Sequence, residues 1–309
     1  HRTVRWKLQL QVEVDASRGV DCSSRADFLL TPTAGGKPIA IYTDGWEFHR
    51  NRLATDAQQR MALQRSGRFL VWSLTWGDVM GELPSAQKPL QPNALKAGMN
   101  PSFNEHPERY LGHWWSEALQ QEADLKPRQA QGLSSWQLLM AYLANPNESL
   151  WHGMAQQLAM GQTGNPPKPL ETLQAELQQA QLLEHTADWA AQADGTAIGQ
   201  SQLLTHGLQT VTLLQSQLLA SKHPGASFRA NHFWRDPQLP EQDQKAGWRE
   251  WLRLGNLFQF LPYALLTTDG WTGADQSAVV NPTALEQEHA AADSQASSPE
   301  QAERSKAWQ

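Results

Sequence analysis

Three residues whose side chains can together hydrolyse a phosphodiester occur within the first fifty positions. Asp27 opens a predicted strand, Asp44 ends the next strand at an Asp-Gly turn, and His49 follows in that turn. Two neighbouring strands can bring both carboxylates to one sheet edge. Carboxylate oxygens bind Mg²⁺, the metal polarises a phosphate and activates water, and an imidazole exchanges protons near neutral pH. The pattern predicts a Mg²⁺-assisted hydrolytic site.

Each of these residues also has a purely structural interpretation. Asp27 can be a strand-end carboxylate paired with Arg25 or Arg60. Asp44 precedes a glycine, and Asp-Gly is a common turn pair. His49 is equally consistent with a turn histidine.

Other polar and aromatic residues nearby favour structural roles. Asp56 is expected to complement the dipole at a helix N-terminus, and Arg60 to be its i,i+4 partner rather than a phosphate ligand. Trp46, Trp72 and Trp76 could stack on bases, although Trp72 lies inside an apolar strand and is predicted to be core.

The elements that position these residues follow from hydrophobic periodicity. Alternation over 6–14 predicts a half-buried strand. Further strands are predicted over 27–30, 38–43 and 69–74, and a helix over 56–66, with Thr55 as N-cap and Gly67 as C-cap. The order is β-β-β-α-β, in which the helical crossover allows its flanking strands to be parallel neighbours.

Beyond residue 80 the sequence changes character. Helices are predicted over 134–144, 150–160, 170–192, 202–221 and 248–266, the last stopped or kinked at Pro262. The segment 227–234 is left open between strand and loop. We therefore expect an α/β core over 1–80, a mainly α-helical extension over 81–274, and a solvated or disordered tail over 275–309.

The core residues resemble those of the very-short-patch mismatch endonucleases. The shared pattern is Arg-Ala-Asp-Phe at 25–28, Ile-Tyr-Thr-Asp-Gly at 41–45, a histidine four residues later, and a Gly-Arg-x-x-Val-Trp strand. The resemblance implies a restriction-endonuclease-like fold, a mixed sheet flanked by helices. It implies that Asp27 and the backbone oxygen of Thr43 bind the metal and that His49 is catalytic. Asp44 falls where that family has another histidine.

A second resemblance extends this interpretation. The string TDGWEFH, the helix after it and SLTW are similar to the C-terminal region of large DEAD/DEAH-box helicases of bacterial defence and DNA-processing systems. This implies DNA and a helicase motor domain, in the same or a partner chain, as partners. The chain has no Gly-x-x-x-x-Gly-Lys-Ser/Thr loop. Tyr42 and Trp46 stand where many related nucleases have an acidic residue or a lysine.

Composition sets outer limits on function. The formal net charge of −6 counts against a general nucleic-acid binder, although arginines concentrate in the first 75 residues. Cys22 is the only cysteine, so no internal disulfide forms, which fits a reducing cytoplasm. No apolar run approaches a membrane span. The start at His1, directly before a predicted strand, is taken to indicate a piece of a longer protein.

Three functions remain open on the sequence alone. The first is Mg²⁺-dependent DNA hydrolysis with Asp27, Thr43 and Asp44 at the metal and His49 as acid or base. The second is a catalytically silent nuclease fold that binds DNA or a helicase motor. The third is a structural scaffold in an antiviral defence complex. Tyr42 and the net acidity favour the latter two.

Overall fold

The structure is a computed structural model that describes part of the chain. The described residues are 4–81, 130, 132–161, 168–179, 197–203, 208–215, 228–234, 239–261 and 263–267. Residues 82–111, at the start of the expected helical extension, and the expected tail over 275–309 lie outside them. No helix within these ranges is long and apolar enough to cross a membrane.

A four-stranded mixed sheet forms the N-terminal part, in the spatial order β1-β2-β3-β4. The first three strands are antiparallel neighbours, and β3 and β4 are parallel. The strands and helices are β1 (Trp6–Val14), β2 (Ser24–Pro32), β3 (Ile39–Asp44), α1 (Trp46–His49), α2 (Leu53–Arg65), β4 (Leu70–Thr75) and α3 (Trp76–Met80). The predicted β-β-β-α-β order and its parallel pair are confirmed.

The crossover helix α2 begins earlier than its sequence predicts. Its N-cap is Arg52, which makes no side-chain capping bond, and Thr55 lies inside the first turn. Leu53 explains the earlier start, because its side chain packs against the hydrophobic core. Ser66 is the C-cap, and Gly67 follows with a φ of 66°, a conformation that suits glycine.

An irregularity in β1 lies directly beside β2 at Asp27. The β1–β2 register pairs Leu10 with Phe28 and then Val12 with Ala26, leaving Gln11 outside the ladder. Gln11 has a φ of 51°, in the left-handed region that side chains other than glycine rarely adopt. The local conformation therefore departs from regular strand geometry next to a predicted site residue.

The described remainder of the chain combines helices with a five-stranded sheet. The helices are α4 (Ser135–Ala144), α5 (Glu148–Gly161), α6 (Leu170–Gln179) and α7 (Glu241–Phe258). The strands are β5 (Lys168–Pro169), β6 (Ala197–Leu203), β7 (Leu208–Gln215), β8 (Phe228–Trp234) and β9 (Tyr263–Thr267). The region expected to be mainly helical thus also contains a sheet.

Several predictions beyond residue 80 are corrected by these bounds. The helix expected over 202–221 is wrong, since β6 ends and β7 lies there. The β-branched residues Thr210, Val211 and Thr212 favour a strand, and the surrounding Leu and Gln residues concealed that signal. The helix expected over 248–266 ends at Phe258, and a strand begins after Pro262. Segment 228–234 is a strand. Residues 180–192 of the expected 170–192 helix are outside the described chain.

The two sheets share one connectivity. Antiparallel pairings, two in the first sheet and three in the second, are followed in each by a helical crossover into a parallel neighbour, β3-α2-β4 in the first sheet and β8-α7-β9 in the second. Each crossover helix also contacts the last strand of the other sheet, α7 against β4 and α2 against β9. The N-terminal sheet therefore packs directly on the C-terminal part of the chain.

Helix α7 covers the outer edge of β4 with amide side chains. The side chain of Asn256 accepts from the Ser73 N–H at 2.8 Å and donates to the Ser73 carbonyl at 2.8 Å. Gln259 accepts from the Val71 N–H at 2.8 Å. These bonds replace those of a further strand, so the edge of the sheet carries satisfied backbone groups.

Aromatic residues dominate the core between the sheet and the helices. Trp72, predicted to be core, is fully buried, and its indole N–H donates to the Ser135 carbonyl at 2.9 Å. Its ring lies near Tyr142 and Trp151, with centroids 6.0 and 6.2 Å away. Aromatic contacts of this kind stabilise the protein through buried area and through favourable ring geometry. They hold β4 in place, and β4 in turn positions β3, its neighbour in the sheet.

Candidate functional site

The predicted site residues meet in one cleft at the carboxyl end of β3. The cleft has a volume of about 270 Å³. It is lined by side chains from β2, β3, α1 and α2: Arg25, Asp27, Tyr42, Thr43, Asp44, His49, Arg52, Asp56, Gln59 and Arg60. Asp27, Thr43, Asp44 and His49 are all among them.

Asp27 is held by β1 and β3 rather than by an arginine. Its Oδ2 accepts from the Thr43 N–H and from the Thr43 hydroxyl, both at 2.7 Å. Its Oδ1 accepts from the Gln11 amide at 3.0 Å. The alternative pairings with Arg25 or Arg60 are wrong, because Arg25 lies 3.9 Å from Glu13 and Arg60 bonds elsewhere.

Asp44 forms a buried ion pair with Arg60. Both oxygens accept from the Arg60 Nη2, at 2.7 and 2.6 Å, and both side chains are almost fully buried. Burial raises the pKa of Asp44, while the Arg60 guanidinium and then His49 oppose that rise. The expected pairing of Arg60 with Asp56 is therefore wrong, since one helical turn aims Arg60 at the strand end.

The aromatic ring of Tyr42 packs against the guanidinium group of Arg60. The Arg60 guanidinium carbon lies 5.4 Å from the centre of the Tyr42 ring, a cation–π arrangement. The Tyr42 hydroxyl is 2.7 Å from the Ser24 hydroxyl, and desolvation raises the pKa of Tyr42. Because Tyr42 and Asp44 are two residues apart on β3, both face α2.

His49 and Asp56 form a hydrogen-bonded pair across the α1–α2 junction. The His49 Nδ1 lies 2.6 Å from Asp56 Oδ2, and its Nε2 lies 3.5 Å from Asp44 Oδ1. The hydrogen bond to Asp56 raises the pKa of His49, desolvation opposes it, and Asp44 adds to the rise. Arg52, 3.7 Å from Asp56, is that carboxylate's i,i+4 partner. The ring is thus favoured in its protonated form.

The residues expected to hold Mg²⁺ fit that ion only in part. Among the described residues, no group of three or more His, Cys, Asp or Glu is arranged to hold a metal. Both oxygens of Asp44 are bound by a guanidinium, so Asp44 does not fit as a ligand in this arrangement. Asp27 fits better, because it is partly exposed and bound only by neutral donors.

Two further tryptophans that could stack on bases, Trp46 and Trp76, differ in their exposure. Trp46 is buried against Trp248, with ring centroids 5.4 Å apart, so it does not present a stacking face to the cleft. Trp76 is 71% exposed at the start of α3. Its predicted base-stacking role stays a prediction.

The sequence assigned structural roles to two residues that prove to complete the cleft. Asp56 was expected to interact with the helix dipole, and Arg60 with Asp56. The spacing of Arg52, Asp56 and Arg60, four residues apart on α2, places all three on one helix face. That spacing, taken with the cleft at the end of β3, is the signal that could have identified them. Gln11 gave no such signal, because its contact depends on irregular backbone.

Comparison of the chain with protein-family models, with curated proteins and with solved structures finds no match. The description of the site therefore depends on its own residues.

Proposed function

We propose that this cleft hydrolyses nucleic-acid phosphodiesters, as the nuclease-like domain of a DNA-processing or defence protein. The observation that carries the proposal is the 2.6 Å contact between His49 and Asp56, in the cleft that also contains Asp27. An imidazole oriented by a carboxylate is a common acid–base device. The restriction-endonuclease-like description of the fold is part of the same proposal, supported by the mixed sheet with its helical crossover.

His49 acts as general acid in this proposal. Its raised pKa favours the protonated ring, and Asp56 fixes the ring through Nδ1, so that Nε2 is the nitrogen that delivers a proton. Water attacks phosphorus and releases a proton to solvent, and the proton of Nε2 goes to the leaving oxygen as the bond from phosphorus to that oxygen breaks. Asp56 stabilises the cationic ring before the transfer, and the ring recovers a proton from solvent afterwards.

Asp27 and Thr43 would hold a Mg²⁺ ion. The Thr43 N–H points at Asp27, and in an extended residue the carbonyl points to the same side of the strand as the N–H. The Thr43 carbonyl therefore lies on the β2 side of β3, as does Asp27. A bound Mg²⁺ would polarise the phosphate and lower the pKa of attacking water.

DNA and a helicase motor domain, in the same or a partner chain, are the partners in this proposal, and the cytoplasm is its compartment. The arginines at 25 and 52, both exposed at the cleft, favour a polyanionic partner. The single cysteine fits a reducing compartment.

A catalytically silent, DNA-binding version of the same fold is the second candidate. The Asp44–Arg60 pair favours it, because it neutralises one carboxylate of the expected metal site. In that case the arginines of the cleft bind the backbone of DNA, and no bond is broken.

A plasmid-nicking assay with Mg²⁺ or Mn²⁺ separates the candidates. The variants are Asp27→Ala and His49→Asn, with Asp21→Ala as control because Asp21 is exposed and outside the cleft. The proposal expects nicking by the wild type and the control, with a loss of about 100-fold or more in the two site variants. Equal nicking by all four proteins contradicts it. DNA binding without nicking supports the catalytically silent DNA-binding module. If the protein neither binds nor nicks DNA, the structural scaffold is the remaining interpretation.

A further inference from the structure

Arg60 is a buried cation with unused hydrogen-bond donors. One nitrogen, Nη2, supplies both contacts to Asp44. The Nε is buried and has no partner, and Nη1 has no hydrogen-bond or ion-pair partner among the described residues. Of the five N–H groups on a guanidinium, the two on Nη2 are therefore used and three are not.

Unused donors on a buried cation are costly unless a ligand uses them. Leaving a buried donor unpaired is unfavourable, and more so on a charged group. Arg60 is only 5% exposed, yet it lines the cleft. Tyr42 and Asp44 hold the guanidinium in place from two sides, so it is already oriented before any ligand arrives.

The charge around Arg60 selects an anion as that ligand. Arg25 and Arg52 line the same cleft and add positive charge to it. Three carboxylates of the same cleft carry the opposite charge: Asp27, Asp44 and Asp56. The carboxylates of Asp44 and Asp56 already have bonded partners of opposite charge, whereas Arg60 retains free donors.

We propose that Arg60 binds a phosphate group in this cleft, with Asp44 as the counter-ion that keeps the guanidinium in place. An unused N–H of the Arg60 guanidinium can donate a charge-assisted hydrogen bond to a phosphate oxygen. The inference rests on the proposed function in that the phosphate belongs to a nucleic-acid phosphodiester; free phosphate has the same recognition chemistry. Arg60 thus supplies, from a helix, the positive charge for which no lysine is present beside Asp44.

Binding of two probes by isothermal titration tests this assignment. The probes are inorganic phosphate and a dinucleoside monophosphate, which carries a single phosphodiester. Tighter binding of the second probe identifies nucleic acid as the source of the phosphate, and tighter binding of the first identifies free phosphate and contradicts the nucleic-acid part of the proposal.

The variants are chosen to keep the protein folded. Arg60→Gln alone leaves a buried carboxylate without a counter-ion, so the double variant Asp44→Asn/Arg60→Gln removes both charges together. Asp44→Asn alone retains the cation and removes the competing carboxylate. Arg18→Gln is the matched control, since Arg18 is exposed and outside the cleft.

The proposal expects opposite effects from the single and double variants. Asp44→Asn/Arg60→Gln should weaken phosphate binding about 10-fold or more. The single variant Asp44→Asn should tighten phosphate binding, and Arg18→Gln should leave it unchanged. Equal affinity of the wild type and the double variant overturns the proposal, even if the wild type nicks DNA. Loss of binding in the double variant, in a protein that never nicks DNA, retains the phosphate site and rejects the hydrolase.

Discussion

The His49 Nδ1 lies 2.6 Å from Asp56 Oδ2. This contact joins a four-residue helix to the first turn of α2, and it determines which nitrogen of the imidazole faces the cleft. The other nitrogen lies 3.5 Å from Asp44. A carboxylate on each side of the ring makes the charged imidazole the favoured form, and this has measurable consequences.

The pKa of His49 should fall when Asp56 is replaced. The hydrogen bond to Asp56 is the largest cause of the raised value, so Asp56→Asn should move the titration of the His49 ring to lower pH. The measurement is an NMR titration of the histidine ring protons. His152, whose ring bonds to the Phe260 carbonyl, serves as an internal reference. An unchanged His49 titration in Asp56→Asn would contradict the assignment.

The same shift predicts how stability depends on pH. A histidine with a raised pKa in the folded state binds its proton more tightly there than in the unfolded chain, where the ordinary value is about 6.5. The stabilisation is fully present below that ordinary value and is lost as pH rises through the folded value. Urea unfolding at a series of pH values should show this fall in the wild type and a smaller fall in His49→Asn.

The Asp44–Arg60 pair should be strongly coupled in stability. Arg60→Met leaves a buried, uncompensated carboxylate and should cost about 3–5 kcal/mol of the free energy of unfolding. Asp44→Asn/Arg60→Met removes both charges and should cost less than the sum of the two single variants. A double-mutant cycle from urea unfolding measures the difference. Simple additivity would show that the pair contributes no coupling.

Asn256 should stabilise the protein through the backbone of β4. Asn256→Ala leaves the N–H and carbonyl of Ser73 without partners, at a cost of about 1–3 kcal/mol for each group. Asn51→Ala, at an exposed position, should change the free energy of unfolding by less than about 0.5 kcal/mol. Urea midpoints measure both. Equal effects of the two substitutions would remove the edge-covering role.

Gln11 should respond to substitution in the reverse of the usual order. Gln11 has a positive φ. An alanine there keeps the backbone strain and loses the hydrogen bond to Asp27, whereas a glycine loses that bond but adopts the positive φ without strain. Gln11→Gly should therefore be more stable than Gln11→Ala by about 1 kcal/mol. At Gln9, within the regular ladder, alanine should be the more stable. Unfolding of the four variants tests the contrast.

Sequence patterns identified the N-terminal sheet because its signals are local. The alternation in β1, the apolar strands β3 and β4, and the helix between them each follow from a short window, and chain connectivity then places Asp27 beside Asp44. The partners of those residues are not local. Whether Arg60 faces Asp56 or Asp44 depends on how α2 lies on β3, and the contact of Gln11 with Asp27 depends on an irregular strand.

The second sheet was missed for a different reason. Residues 202–221 contain mostly Leu, Gln, Thr and Ser, which satisfy both a strand alternation and a helix of average propensity. Long-range pairing decides between these, and pairing partners such as β7 and β8 become visible only in three dimensions.

The amide cover over β4 also affects the order of events during synthesis. Ser73 and its partner Asn256 are 183 residues apart, which at ordinary translation rates separates them by roughly 10–40 s. For that interval the nascent chain carries an open strand edge next to the residues of the cleft. Ribosome-bound chains ending before residue 256 lack the side chain that covers Ser73 and should therefore be the forms most prone to pair with one another through this edge.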